Sequence, residues 1–153
     1  MRKIAFCIFL LVINFSCRNE DRKILNGFEN LKLGMTIPEV EKLINRKIDI
    51  KPADKTYKIA DQYVGDFAEI DSLQINSKIK LSSVYLEFKN QKLIYITTNY
   101  NSELFKLLKN DYGIEQHMSD GTDIFKTNSN NSFACISNNR RITIANTKEK
   151  FNH

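Results

Sequence analysis

The chain has 153 residues, 42% hydrophobic and 27% charged, which are the proportions of one compact domain and too few residues for two large ones. Five glycines and two prolines leave no low-complexity tract, so collagen-like, coiled-coil and fully disordered chains are excluded. Basic residues outnumber acidic ones, 23 to 18, for a net charge of +5, but the charges are scattered and give no footprint for nucleic acid.

The N-terminus reads first. Arg2 and Lys3 precede an unbroken apolar run from Ile4 to Ile13. A bilayer span needs roughly 20 apolar residues, so the run predicts a signal peptide over 1–16 and not a membrane helix. Ser16-Cys17 follows, and a small residue directly before cysteine resembles a bacterial lipoprotein signal. Asn14 stands where leucine is usual, as in the looser signals of Bacteroidota. The resemblance implies cleavage before Cys17 and acylation of that cysteine, palmitate included. The protein would then sit in the cell envelope as an outer-membrane lipoprotein, periplasmic or surface-facing. Several acyl chains anchor stably where one binds only marginally. The alternative is an ordinary secretory signal that leaves Cys17 as a thiol. Cys7 would leave with the signal, so Cys135 would stand alone and no intramolecular disulfide is expected. Residues 17–27 are polar and form a lipidated tether reaching on the order of 15–20 Å. Within it Arg18-Asn19-Glu20-Asp21 resembles the charged tags of surface-exported lipoproteins. A single domain over 28–153 is expected.

Thr36 and Glu39 have the spacing of a capping box, Pro38 falls in a first helical turn, and Val40, Leu43 and Ile44 share one face. Gly34 permits the bend into the helix. The pattern predicts helix one over 37–46. The segment 31–44, with Gly34-Met35-Thr36 followed by Val40 and Leu43, resembles the helix entry of SmpA/OmlA-type outer-membrane assembly lipoproteins. Their fold resembles that of the β-lactamase inhibitor protein. The resemblance implies an α+β domain and an envelope role. The chain departs from it at Lys47-Ile48-Asp49-Ile50-Lys51-Pro52, which alternates like an edge strand where a second helix would follow.

Strands are expected at 56–60 and 68–75, separated by a Gly65-Asp66 turn. Asp71-Ser72-Leu73 resembles the O-glycosylation tripeptide of Bacteroidota. Lys78 to Tyr100 reads as a hairpin about Asn90-Gln91. A three-residue loop pairs Phe88 with Ile94 and Leu86 with Ile96. It is preferred because it leaves one apolar face and spares Gln91 a positive φ. Tyr85, Leu93 and Tyr95 then share the opposite face.

Ser102 is read as the N-cap of helix two, whose stripe is Leu104, Phe105, Leu107, Leu108 and Tyr112, with Gly113 as the stop. Three short strands follow at 122–127, 132–137 and 140–146. A two-residue Asn138-Asn139 turn places Phe133, Cys135, Ile142 and Ile144 on one face. The fold class is α+β, two short helices on antiparallel sheet, with an order open to a degenerate helix-plus-sheet repeat.

Chemistry is sparse. Glu115, His117, Asp120 and Asp123 offer one imidazole and three carboxylates for a divalent metal, but the spacing is irregular and a solvated loop is the preferred reading. No metal or cofactor is assigned and no catalytic residues are named. Cys135 reads as a small buried hydrophobe and not a reactive thiol. Arg140-Arg141 with Lys148 and Lys150 makes a mildly basic end, read as a solvated face. Tyr85, Leu93 and Tyr95 are the candidate protein-contact face, unless helix two or the N-terminal strands cover it. The expected function is a non-enzymatic binding module for another envelope protein, ahead of an outer-membrane assembly factor or an inhibitor or immunity protein, with a metal-binding enzyme built on the 115–123 loop last.

Overall fold

The computed structural model describes residues 25–53, 58–59, 62–63, 65–125, 133–138 and 140–147. The signal over 1–16, Cys17, most of the tether, Lys148, Lys150 and the ends of the strands expected at 56–60 and 122–127 lie outside the described residues. No helix among the described residues is long and apolar enough to cross a membrane.

The chain begins with a two-residue hairpin, β1 (Gly27–Phe28) and β2 (Leu31–Lys32), and continues into α1 (Ile37–Ile44). A second small hairpin, β3 (Lys58–Ile59) and β4 (Gln62–Tyr63), precedes the main sheet. That sheet holds β5 (Asp66–Gln74), β6 (Lys80–Lys89) and β7 (Lys92–Asn99), then, after α2 (Ser102–Tyr112), β8 (Ile114–His117), β9 (Asp123–Phe125), β10 (Phe133–Ser137) and β11 (Arg141–Asn146). The order is β5-β6-β7-β11-β10-β9-β8, antiparallel throughout. Two meanders, each preceded by a helix, join through their last strands β7 and β11. The fold is α+β, as the sequence indicates.

One apolar cluster holds it together. Leu86, Phe88, Ile96, Phe125, Cys135, Ile142 and Ile144 of the sheet are buried with Val40 of α1, Leu104 and Leu108 of α2, and Phe28 and Leu31 of the first hairpin. The folded unit therefore starts before Phe28. Leu25 is buried in this cluster, and the Asn26 carbonyl accepts a hydrogen bond from the Leu33 N–H at 2.6 Å.

Helix α1 ends two residues short of the expected position, because Asn45 turns left-handed with φ 54°. At its start the Glu39 carboxylate accepts from the Thr36 N–H at 2.7 Å and from its hydroxyl at 2.8 Å. Segment 47–52 is not a full edge strand. Lys51 alone exchanges backbone hydrogen bonds with Phe67, at 2.8 and 2.9 Å, while Ile48 and Ile50 pack on the core. The Ile48 N–H and the Lys47 ammonium both donate to Glu41, which draws the segment back toward α1. Helix α2 is capped by Asn101 in place of Ser102: the Asn101 side chain accepts from the Leu104 N–H at 2.9 Å. Gly113 ends it with φ 72°.

The β6–β7 hairpin corrects the expected loop. Lys89 pairs with Lys92 around a two-residue turn, with Asn90 and Gln91 both at positive φ, 51° and 61°. Phe88 consequently faces Leu93. A one-residue bulge then absorbs Ile94, so Leu86 still faces Ile96. Turn and strand interior thus keep different registers, with Gln91 accepting the positive φ, and the bulge reconciles the two. The β10–β11 turn is also displaced. Cys135 pairs with Ile144 and Ser137 with Ile142, with the Asn138 N–H bonded to the Arg141 carbonyl. Relative to an Asn138-Asn139 turn the register moves by two residues, an even shift, so Cys135, Ile142 and Ile144 remain on one buried face. On β5 and β6 the alternation changes phase once. Ile70 and Leu73 are both buried, as are Leu81 and Val84, and Ser83 sits at the change with φ 50°.

Candidate interaction surface

The sheet has a second face opposite the core. One register row crosses every strand of it: Glu69, Tyr85, Thr97, Thr143, Ile136, Ile124 and Gln116. The neighbouring row carries Phe67, Glu87, Tyr95 and Ala145. None of the residues in either row belongs to the core cluster, to which both helices contribute their buried side chains. Neither α2 nor the first hairpin therefore covers this face.

Its aromatic end lies on β5, β6 and β7. Phe67 and Tyr85 stack with ring centroids 5.5 Å apart, and Tyr95 meets Tyr85 edge-on at 6.1 Å. All three are half-buried, leaving ring surface at the protein's exterior. Tyr85 and Tyr95 thus stand where the sequence places them. Leu93 does not: the two-residue turn faces it to Phe88, and it is fully buried in the core. Phe67, missed by the sequence reading, takes its place. The signal was available, because Ala68 and Ile70 alternate with Phe67 and Glu69 on β5, but it could not be used without knowing that β5 pairs with β6.

Charge accompanies the rings. Glu87 is 2% exposed, and its carboxylate accepts from the Gly65 N–H at 2.9 Å. Glu69 is exposed and bonds the Lys51 ammonium at 3.4 Å. That ammonium also stands 5.6 Å from the centroid of Phe67. Burial pushes the Tyr85 phenol up, and Glu87, Tyr95 and Glu69 push it further, as a phenolate would meet negative charge there. In the centre of the face, Thr97 and Thr143 share a hydroxyl–hydroxyl hydrogen bond of 2.8 Å. Ile136 marks the aliphatic end, 39% exposed.

The other candidates fall differently. The 115–123 segment is a hairpin of β8 and β9, not a loop. His117 pairs with Asp123 across it, with Nδ1 to Oδ1 at 2.5 Å. Asp120 makes the turn by accepting from the Thr122 N–H at 2.9 Å, a bond that holds its carboxyl below the usual range. Among the described residues no three His, Cys, Asp or Glu side chains converge on a common point that could hold a metal ion. Arg140 and Arg141 are exposed, and their N–H groups both donate to the Asn138 side chain. Ser72 is exposed on β5 opposite Ser82, while Leu73 beside it is buried.

Cys135 is fully buried, and desolvation pushes its thiol up. In a variant carrying Cys7→Ala and Cys17→Ala, a thiol reagent at neutral pH should label Cys135 at least about a thousandfold more slowly than in the unfolded chain. Labelling at the unfolded rate would contradict this placement.

Comparison of the chain with protein-family models, with curated proteins and with solved structures finds no match.

Proposed function

We propose that this protein is an exported lipoprotein, anchored through acyl chains on Cys17, whose α+β domain binds another envelope protein through the second face of its sheet. The observation that carries the reading is the group of Phe67, Tyr85 and Tyr95 on a face that neither helix covers. Aromatic side chains lose little rotamer freedom on binding and are enriched at the centres of protein interfaces. The anchor rests on Arg2, Lys3, the apolar run to Ile13 and Ser16-Cys17. The helix entry at 31–44 supports an envelope setting by its resemblance to outer-membrane assembly lipoproteins.

Cross-linked affinity capture from native envelope tests this, with the full chain, a Cys17→Ala variant and a Tyr85→Ala variant. One reproducible partner should appear with the full chain and be lost with Tyr85→Ala, while Cys17→Ala should leave the membrane fraction. The partner's identity separates an assembly factor from an inhibitor or immunity protein. No partner with any of the three chains would overturn the reading.

A further inference from the structure

The aromatic end of the second face carries a charge pattern that specifies the chemistry of its partner, an inference that rests on this face being the contact surface. In register, Phe67 faces Glu87, Glu87 faces Tyr95, and Glu69 faces Tyr85. Carboxylates are thus interleaved with rings on three adjacent strands. The face of an aromatic ring is electrostatically negative, and a ring beside a carboxylate attracts a cation more than either does alone.

The molecule already uses the patch in this way. Lys51 holds its ammonium over Phe67 and against Glu69. The side chains of Lys51 and Glu69 are 48% and 63% exposed, so this is a surface ion pair, weakly held and open to exchange. Lys51 is fixed through its backbone bonds to Phe67, so its side chain can leave without disturbing the sheet edge. The whole chain carries +5, which gives a cationic partner no general attraction to the molecule. At this patch the rings and carboxylates supply a local attraction instead.

We propose that Phe67, Tyr85, Tyr95, Glu69 and Glu87 dock a basic protein segment, an arginine or lysine of the partner displacing Lys51 from Phe67 and Glu69. Glu69 acts by direct contact, and Glu87, buried in register between Phe67 and Tyr95, adds its charge beside the rings. Lys51 is a resident competitor, so its removal has the opposite sign from removal of any other member of the patch.

The test uses the full chain in detergent micelles and fluorescence anisotropy with two labelled peptides, one alternating arginine and serine and one alternating glutamate and serine. The arginine peptide should bind and the glutamate peptide should not. Glu69→Gln and Tyr85→Leu should weaken binding about tenfold or more, with circular dichroism reporting that each variant is folded. Glu103→Gln on α2 should change nothing. Lys51→Met should tighten binding several-fold, which loss of a merely structural lysine would not do. Equal binding of both peptides, or a Lys51→Met variant that binds no tighter, overturns the proposal. An envelope partner captured equally by the wild-type and Glu69→Gln chains overturns it too, and leaves the protein-binding reading standing.

Discussion

Replacing Phe88 with alanine should lower the unfolding free energy by about 3–5 kcal/mol, the range for removing a fully buried phenylalanine. Phe88 is 1% exposed and sits where three elements meet. It faces Asp66 on β5 and Leu93 on β7, directly beside the bulge that reconciles the β6–β7 turn with the rest of the strand. Its carbonyl oxygen lies so close to Gly65 that a Cβ there would overlap it. A backbone pinned on both sides cannot collapse into the vacated volume, so most of the cavity persists and the cost lies toward the upper end of the range. Urea denaturation followed by far-ultraviolet circular dichroism measures it. The midpoint should fall with little change in slope, because the surface exposed on unfolding is nearly the same. Phe67→Ala provides the comparison. That ring is half-buried on the second face, outside the core cluster, and its loss should cost no more than about 1–2 kcal/mol. Similar losses for the two variants would mean that the faces of β5 and β6 are assigned wrongly.

The same neighbourhood shows what the sequence reveals and where it stops. Element identity was legible wherever a local rule acted alone: the Thr36 and Glu39 capping arrangement, the Leu104–Leu108 stripe ending at Gly113, and the alternation of Val84, Leu86 and Phe88 all stand in the structure. Register was harder. One apolar face and the cost of a positive φ at Gln91 both pointed to a three-residue loop, yet the turn closes with two residues and holds Gln91 at φ 61°. A reading without bulges cannot combine that turn with Leu86 opposite Ile96, whereas the protein does so by inserting Ile94. Leu93 was lost from the contact face for that reason alone. The β10–β11 register was also misplaced, yet its faces survived, because a shift of two residues preserves the side-chain alternation. Strand β8 went unseen for a different reason. Ile114, Glu115, Gln116 and His117 show no period, and the strand exists because β9 offers an edge to pair with. Asn101 displaced Ser102 as the cap by a single position, a choice local sequence cannot make when two good caps adjoin. Of the candidate face, Tyr85 and Tyr95 were legible from alternation. Phe67, Glu69 and the Lys51 ammonium were not, since what unites them is the pairing of segments 16 or more residues apart.

Gly27→Ala should cost about 2–4 kcal/mol, more than Gly34→Ala, although Gly34 is the glycine with the left-handed backbone. Gly34 has φ 88° and nothing within 4 Å of where a Cβ would stand, so alanine there meets only conformational strain, on the order of 1–2 kcal/mol. Gly27 is crowded instead. A Cβ on it would overlap the Leu31 carbonyl oxygen and come within 2.7 Å of the Lys32 Cα, both backbone atoms of the facing strand. That strand pair is two residues long on each side, closed through Glu29 at φ 54°, and has no length over which to spread a displacement. Opening it would lift Phe28 and Leu31, both at 0% exposure, away from the core that α1 also packs against. The loss would therefore extend beyond the hairpin to the seating of the first helix. Denaturation of the two alanine variants side by side decides the matter. A Gly34→Ala loss equal to or above that of Gly27→Ala would show that backbone conformation, and not the close approach of β1 to β2, sets the cost at this end of the molecule.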